Sequence, residues 1–140
     1  MIVLDTNVIS ELMRPVPHAG VLAWIGEQPR TTLYTTSINQ AEIFYGIEVL
    51  SSGRRRQLLA EAAAAMFDDD FAGRVLSFGP VAVAHYAAIV AARRKSGNPI
   101  EAFDALIAAT ARAAGASVAT RDIRGFDGCG VALIDPWQDL

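Results

Sequence analysis

The sequence predicts an α/β protein, a three-layer α/β/α arrangement around a mostly parallel five-stranded sheet. Two observations predict it: short apolar runs alternate with longer helical patterns along the chain, and half of the residues (52%) are hydrophobic. Such alternation builds a sheet covered on both faces, and that composition supplies its core. The 140 residues fit a single domain covering 1–140, with no repeat or linker to divide them.

Ile2 to Leu4 is a short apolar run that reads as a buried strand. Asp5-Thr6-Asn7 offers capping chemistry for a helix through Val8, Ile9, Leu12 and Met13, which stops before Pro15. A second helical pattern covers His18 to Gln28, and the Thr- and Tyr-rich stretch Thr31 to Thr36 is the second strand. Ser37 and Gln40 fit a capping box for a helix running to Leu50. Another helix spans Arg54 to Met66, followed by a third strand, Val75 to Phe78. Pro80 opens a helix ending near Arg94, and Gly97-Asn98-Pro99 breaks the chain. The alanine-rich Glu101 to Ala114 is helical, with Gly115 at its C-cap. Ser117 to Thr120 and Val131 to Ile134 are the last two strands, separated by a loop through Gly125 to Gly130.

In a parallel α/β sheet the working site lies beyond the carboxyl ends of the strands. Asp5 follows the first strand and Asp122 nearly follows the fourth; each also suits a capping role, and Thr6 is an alternative cap beside Asp5. Glu42 lies at helical spacing between Ile38, Ala41, Tyr45 and Val49, on a mostly apolar face. Asp104 shares a face with Ile107, Ala108 and Ala111 on a helix with almost no other polar residue after Glu101. A buried carboxylate without a partner costs several kcal/mol, so Asp104 requires either an arginine, Arg121 or Arg112, or a metal cation. Carboxylates crowded together repel unless a cation neutralises them, and oxygen-only ligands favour Mg²⁺ or Mn²⁺ over zinc. An open acidic metal site suits phosphodiester hydrolysis, in which the metal activates a water.

The remaining features exclude more than they assign. The net charge of −3 lacks the basic surplus usual for nucleic-acid binders, although eleven of the twelve bases are arginine. Arg54 to Arg56 and Arg93 to Lys95 read as solvated helix ends, with phosphate contact as their other reading, and Asp68 to Asp70 as a solvated acidic run. Cys129, the single cysteine, excludes an intramolecular disulfide and a multi-cysteine zinc site. His18 and His85 lie beside no motif acid, and Trp24 reads as core, with a groove for a partner helix as the minor alternative. Apolar runs fall well short of the ~20 residues that span a bilayer, and Asp5 interrupts the N-terminal run before it resembles a leader. No membrane association and a cytoplasmic location are expected.

The opening Ile2-Val3-Leu4-Asp5-Thr6-Asn7-Val8-Ile9-Ser10-Glu11-Leu12 resembles the start of PIN-domain proteins, especially VapC-type toxins of bacterial toxin–antitoxin pairs. The resemblance continues at Ser37-Ile38 through Glu42, at Asp104-Ala105-Leu106-Ile107-Ala108-Ala109 and at Ala119-Thr120-Arg121-Asp122, and closes with Val131 to Pro136-Trp137. It implies a metal-dependent endoribonuclease whose catalytic and metal-holding acids are Asp5, Glu42, Asp104 and Asp122. Asn7 and Thr120 fall on positions that help to orient them. It further implies Mg²⁺ or Mn²⁺, an RNA substrate, a homodimer, and a small cognate antitoxin that blocks the acidic groove. One departure is local: relatives often carry an acid before the aromatic of the loop after the fourth acid, whereas Gly125-Phe126-Asp127 places it after. The alternative is an RNA- or protein-binding module that keeps the fold without turnover. A haloacid-dehalogenase-type phosphatase needs a second Asp where Asn7 stands, which discounts it.

Overall fold

A computed structural model describes residues 1–138. Five strands, β1 (Ile2–Leu4), β2 (Leu33–Thr36), β3 (Val75–Leu76), β4 (Ser117–Ala119) and β5 (Leu133–Ile134), form one sheet in the order β3-β2-β1-β4-β5. Every neighbouring pair is parallel, so the sheet is wholly rather than mostly parallel. Six α-helices join the strands: α1 (Thr6–Leu12), α2 (Ala19–Glu27), α3 (Ser37–Glu48), α4 (Arg54–Ala65), α5 (Pro80–Lys95) and α6 (Ala102–Ala113).

Successive strand residues point to opposite faces, and that alternation sorts the core into two. Val3, Val118, Leu76 and Leu133 face one side, where Ile89 of α5 and Ile107 of α6 pack with Phe126. Leu4, Ala119, Val75 and Ile134 face the other, against Val8 and Ile9 of α1, Val21 of α2, Ile43 and Ile47 of α3 and Ala63 of α4. Trp24 lies at the edge of this second core, as the core reading requires. The alanine run of α6 has a packing reason: Ala105, Ala108, Ala109 and Ala111 are fully buried, letting that helix lie close to the sheet and to α5.

The strands are shorter than expected. Thr31 and Thr32 belong to a 3₁₀ turn (Arg30–Thr32), Ser77 and Phe78 lie beyond β3, and Val131 and Ala132 precede β5. β-propensity marks these stretches, but only residues in register with a neighbour become ladder. The α3 cap is displaced by one residue from the expected Ser37: Thr36 is the N-cap, its hydroxyl accepting the Asn39 N–H at 3.2 Å. Beyond α4 the chain continues as a π-helical turn, Met66–Asp70, which leaves Asp68 to Asp70 exposed while Phe67 is buried.

Arg93 departs most from the sequence reading. Arg94 and Lys95 are exposed, but Arg93 is only 5% exposed. Its Nε donates to the Asn98 carbonyl at 2.7 Å and its Nη1 to the carbonyls of Gly125 (3.0 Å) and Asp127 (2.9 Å). A buried guanidinium is stable when its donors are spent, and here they tie the loop before α6 to the loop after β4. Arg93→Ala should lower stability to urea by at least about 2 kcal/mol by leaving buried carbonyls unpaired, and Arg94→Ala by less than about 0.5 kcal/mol. Equal losses for the two variants would show that Arg93 is not a tie.

Candidate metal centre

In the strand order β3-β2-β1-β4-β5 the chain reverses direction across the sheet between β1 and β4, and the crevice beyond their carboxyl ends is where such folds place ligands. A cavity of about 590 Å³ opens there, lined by Asp5, Glu42, Asp104 and Asp122 together with Glu11 and Glu101. The four expected acids, which arrive from β1, α3, α6 and the loop after β4, therefore meet in one place.

Asp5 is held most firmly. Its N–H continues the β1–β4 ladder to the Ala119 carbonyl, and the residue is 6% exposed. Oδ1 accepts from the Thr6 N–H (2.8 Å) and from Asn39 Nδ2 (3.1 Å), while Oδ2 accepts from the Thr120 hydroxyl (2.8 Å). Asp5 is thus both the cap of α1 and a member of the acidic cavity. Burial pushes its carboxyl above the usual carboxylate range, against the pull of those three hydrogen bonds.

Thr120 hydrogen-bonds to Asp5, Asn7 to the loop after β4, and the two to each other. The fully buried Thr120 hydroxyl donates to Asp5 and accepts from Asn7 Nδ2 (3.2 Å) and from the Asp122 N–H (3.0 Å). Asn7 Oδ1 accepts the Arg121 N–H at 3.2 Å, clamping the loop after β4 onto α1. Asp122 is exposed, and its Oδ1 accepts the Gly125 N–H at 3.1 Å, so the loop-cap reading and the cavity position hold together. A Cβ at Gly125 would come within 2.3 Å of Asp122 Oδ2, so a larger residue there would force the Asp122 carboxylate to shift.

Glu42 is half-buried and accepts the Thr6 hydroxyl at 2.8 Å. The apolar face argued for it is not an inward one: Tyr45 and Val49 are exposed, and α3 buries Asn39, Ile43 and Ile47 instead. Glu42 turns inward because Thr6 holds it. Burial raises its carboxyl, and the charges of Asp5 and Glu101 raise it further.

Asp104 carries the electrostatic tension of the site. Neither Arg121 nor Arg112 pairs with it; the ion pairs among the described residues are Arg14–Glu11, Arg30–Asp70 and Arg56–Glu48. Burial, then the charges of Asp5, Glu101, Asp122 and Glu42, push its carboxyl up to about 7. A half-buried acid facing four others, with no ion-pair partner among the described residues, is the donor chemistry that a hard divalent cation satisfies. Among the described residues no three His, Cys, Asp or Glu side chains are grouped so as to hold a metal ion by themselves.

Sequence reasoning missed three members of the site. Asn39, fully buried, joins Asp5 to Thr6 and Thr36. The Thr6 hydroxyl joins Asn39 to Glu42. Glu101 adds negative charge beside Asp104, and its spacing three residues earlier on the same helical turn was the available signal. Asp127 does not line the cavity, and neither do His18 and His85; His18 caps α2, its Nδ1 accepting from the Gly20 N–H at 3.1 Å. The arginine clusters Arg54 to Arg56 and Arg93 to Lys95 lie outside the cavity as well.

Known proteins match nearly the whole chain. The family model of the PIN domain matches residues 2–128. The chain is 44% identical to the VapC ribonuclease Y4jK of Sinorhizobium fredii over 138 residues, 99% of each protein. It is 40% identical to the toxin FitB of Neisseria gonorrhoeae over 139 residues, 99% of this chain and 100% of that protein. The crystal structure of FitAcB from the same organism superposes with a TM-score of 0.92 at 39% identity, covering 99% of both chains.

The raised carboxyls set a pH dependence. Folded Asp104 holds its proton up to about pH 7, whereas the unfolded chain releases it near 3.8. The folded state binds the extra proton in that window, so stability falls as pH rises from about 4 to about 7 and then levels off. Asp5 and Glu42, raised as well, act in the same direction. Solvent screening at half-exposed Asp104 limits its share to roughly 1–2 kcal/mol. In urea melts without divalent metal, Asp104→Asn should exceed the parent by that amount near pH 8 and match it near pH 4. A pH-independent difference between them would refute the electrostatic account.

Proposed function

Because the chain belongs to the PIN-domain family, we propose that it is a metal-dependent endoribonuclease and the toxin of a toxin–antitoxin pair. The observation that carries this reading is the convergence of Asp5, Glu42, Asp104 and Asp122 on one cavity without a cationic partner for Asp104. The ribonuclease and toxin names of relatives that match over nearly their whole length support it.

Asp5, Glu42, Asp104 and Asp122 are the residues that would hold Mg²⁺ or Mn²⁺. When bound, such a cation offsets charge on the phosphodiester and makes an attacking water more acidic. The chain's own residues divide the remaining work. Asp5, with its carboxylate fixed by Thr6, Asn39 and Thr120, is a rigid reference for the others. Glu42 is oriented from one side through Thr6, and Asp122 from the other through Thr120 and Gly125. Asp104 accepts no protein hydrogen bond among the described residues, which leaves its oxygens for the cation, and one of the four acids also orients the attacking water. Water attacks phosphorus, the P–O3′ bond breaks and the 3′-oxygen leaves as a hydroxyl, so the products carry a 5′-phosphate and a 3′-hydroxyl and no ribose 2′-hydroxyl is needed.

A nuclease that degrades its host's RNA must be held silent, and the proposed partner is a small antitoxin protein that covers the acidic cavity. An apolar groove of about 670 Å³ adjoins that cavity, sharing Thr6, Ser10, Arg14 and Glu42 with it and lined further by Met13, Ile43, Ile47 and Leu59. Trp24 is not part of that lining. We assign the chain a homodimeric state on the family resemblance, and a place in the cytoplasm, where its substrate is. Among the described residues no helix is long and apolar enough to cross a membrane.

Incubating purified protein with a mixed RNA pool and Mg²⁺, Mn²⁺ or EDTA tests the activity. Cutting should require the metal, leave 5′-phosphate ends, and fall at least about 100-fold in a folded Asp104→Asn variant. Cutting that survives both EDTA and the substitution would refute this mechanism, and no cutting with either metal would favour a binding module.

A further inference from the structure

Two cations line the acidic cavity, Arg14 and Arg121, and they are held in different ways. Arg14 is already neutralised: its Nη1 lies 3.2 Å from Glu11 Oε2, and that buried carboxylate is fixed by the His18 N–H at 3.1 Å. Arg121 pairs with no carboxylate among the described residues, although it shares the cavity with six acids. Its guanidinium carbon instead lies over the Trp137 ring, 5.1 Å from the centroid.

Trp137 is a firm support. Its main-chain N–H donates to Asp135 Oδ1 at 2.9 Å, and its ring packs at the edge of the second core. The main chain of Arg121 is fixed too, by its N–H to Asn7 and by its place between Thr120, which holds Asp5, and Asp122. A guanidinium resting on an aromatic ring uses its face and leaves its in-plane N–H donors for an oxygen acceptor. The ring therefore keeps a positive charge that no carboxylate among the described residues pairs with, at a cavity that would otherwise repel a polyanion.

We propose that Arg121, held on Trp137, is the clamp for the RNA phosphate adjoining the one that is cut. This inference rests on the nuclease reading above. It accounts for how an acidic chain, whose arginine clusters lie away from the cavity, draws a polyanion into it. Planar, multi-donor recognition of phosphate oxygens is what arginine supplies and lysine does not.

The test follows the anisotropy of a labelled, mixed-sequence single-stranded oligoribonucleotide as salt is raised, in the non-cutting Asp104→Asn background. Arg121→Ala should lower the slope of log affinity against log salt by about 0.7, the value for one lost phosphate contact on a single strand. Trp137→Leu should weaken binding and keep the slope, since it removes the support and not the charge. In Trp24→Phe, where Trp137 is the remaining indole, RNA should change the tryptophan emission, and Arg121→Ala should abolish that change. In the cutting enzyme, the Arg121→Ala defect should fall on KM, on the order of tenfold, and much less on kcat.

An unchanged slope and KM in Arg121→Ala, or a Trp137 emission indifferent to RNA, would overturn the clamp. So would a response to an acidic peptide with none to RNA. If the parent cuts no RNA yet Arg121→Ala still lowers the salt slope by about 0.7, the nuclease reading fails and the phosphate contact stands.

Discussion

The Asp5 carboxylate accepts hydrogen bonds from three parts of the fold at once: Thr6 on α1, Asn39 on α3 and Thr120 after β4. The rest of the site is arranged around it. From Asp5 one branch runs through Asn39 and Thr6 to Glu42, and the other through Thr120 to Asn7 and the Asp122 main chain. Elements more than 30 residues apart in sequence are set by a few hydroxyl and amide groups in fixed donor and acceptor roles. The Thr120 hydroxyl gives its one proton to Asp5 and accepts two, which leaves it no freedom to turn. Such a fully satisfied network is stiff, and stiffness is what a centre with a charged ligand requires.

Rigidity here works against electrostatics. The backbone places acids from four elements around one cavity, and burial and mutual repulsion raise Asp5, Glu42 and Asp104 together. Stability comes from elsewhere, from the two cores that sandwich the sheet and from the Arg93 tie behind the site. Arg93 holds the loop that carries Asp122 against the segment leading into α6, and so fixes the spacing of Asp122 and Asp104 without touching either carboxylate. Its positive charge is used on carbonyls, which leaves the tension among the acids intact.

How much of this could be read beforehand follows from the range of each signal. Asp5 and Asp122 were legible because the strand-end rule depends only on local sequence and fold class. Asp104 was legible because a carboxylate on an alanine-rich helical face is out of place. Glu42 was found by resemblance, while the face argument for it failed: α3 is apolar nearly all round, so periodicity could not tell which stripe is buried. Asn39 and Thr6 gave no signal, since their roles are bonds between distant segments and their residue types are ordinary at a helix start. Arg93 was misread for the opposite reason. Its neighbours Arg94 and Lys95 are solvated, and sequence adjacency hides that one position of the three faces inward. Element order survived because alternation is a property of the whole chain, whereas the strand ends, set by register with a neighbour, did not.

One compensation within the protein is geometrical. Asp104 lies in the first turn of α6 and Glu42 in the first half of α3, and a helix N-terminus favours negative charge. That contribution, typically 0.3–1 kcal/mol per charge and fading beyond the first turn, acts most on Asp104. Yet Asp104 is the acid with the strongest displacement, to about 7. The helix end therefore offsets only a small part of the combined effect of burial and of the repulsion from Asp5, Glu101, Asp122 and Glu42. What remains must be balanced by protons, at a pH below that value, or by a cation at higher pH. The same excess of negative charge that makes a cation necessary makes the approach of a phosphate unfavourable, and a fixed positive group at the rim answers that second problem without cancelling the first. A guanidinium held on an aromatic ring meets this requirement, because it stays close to the carboxylates without collapsing onto one of them.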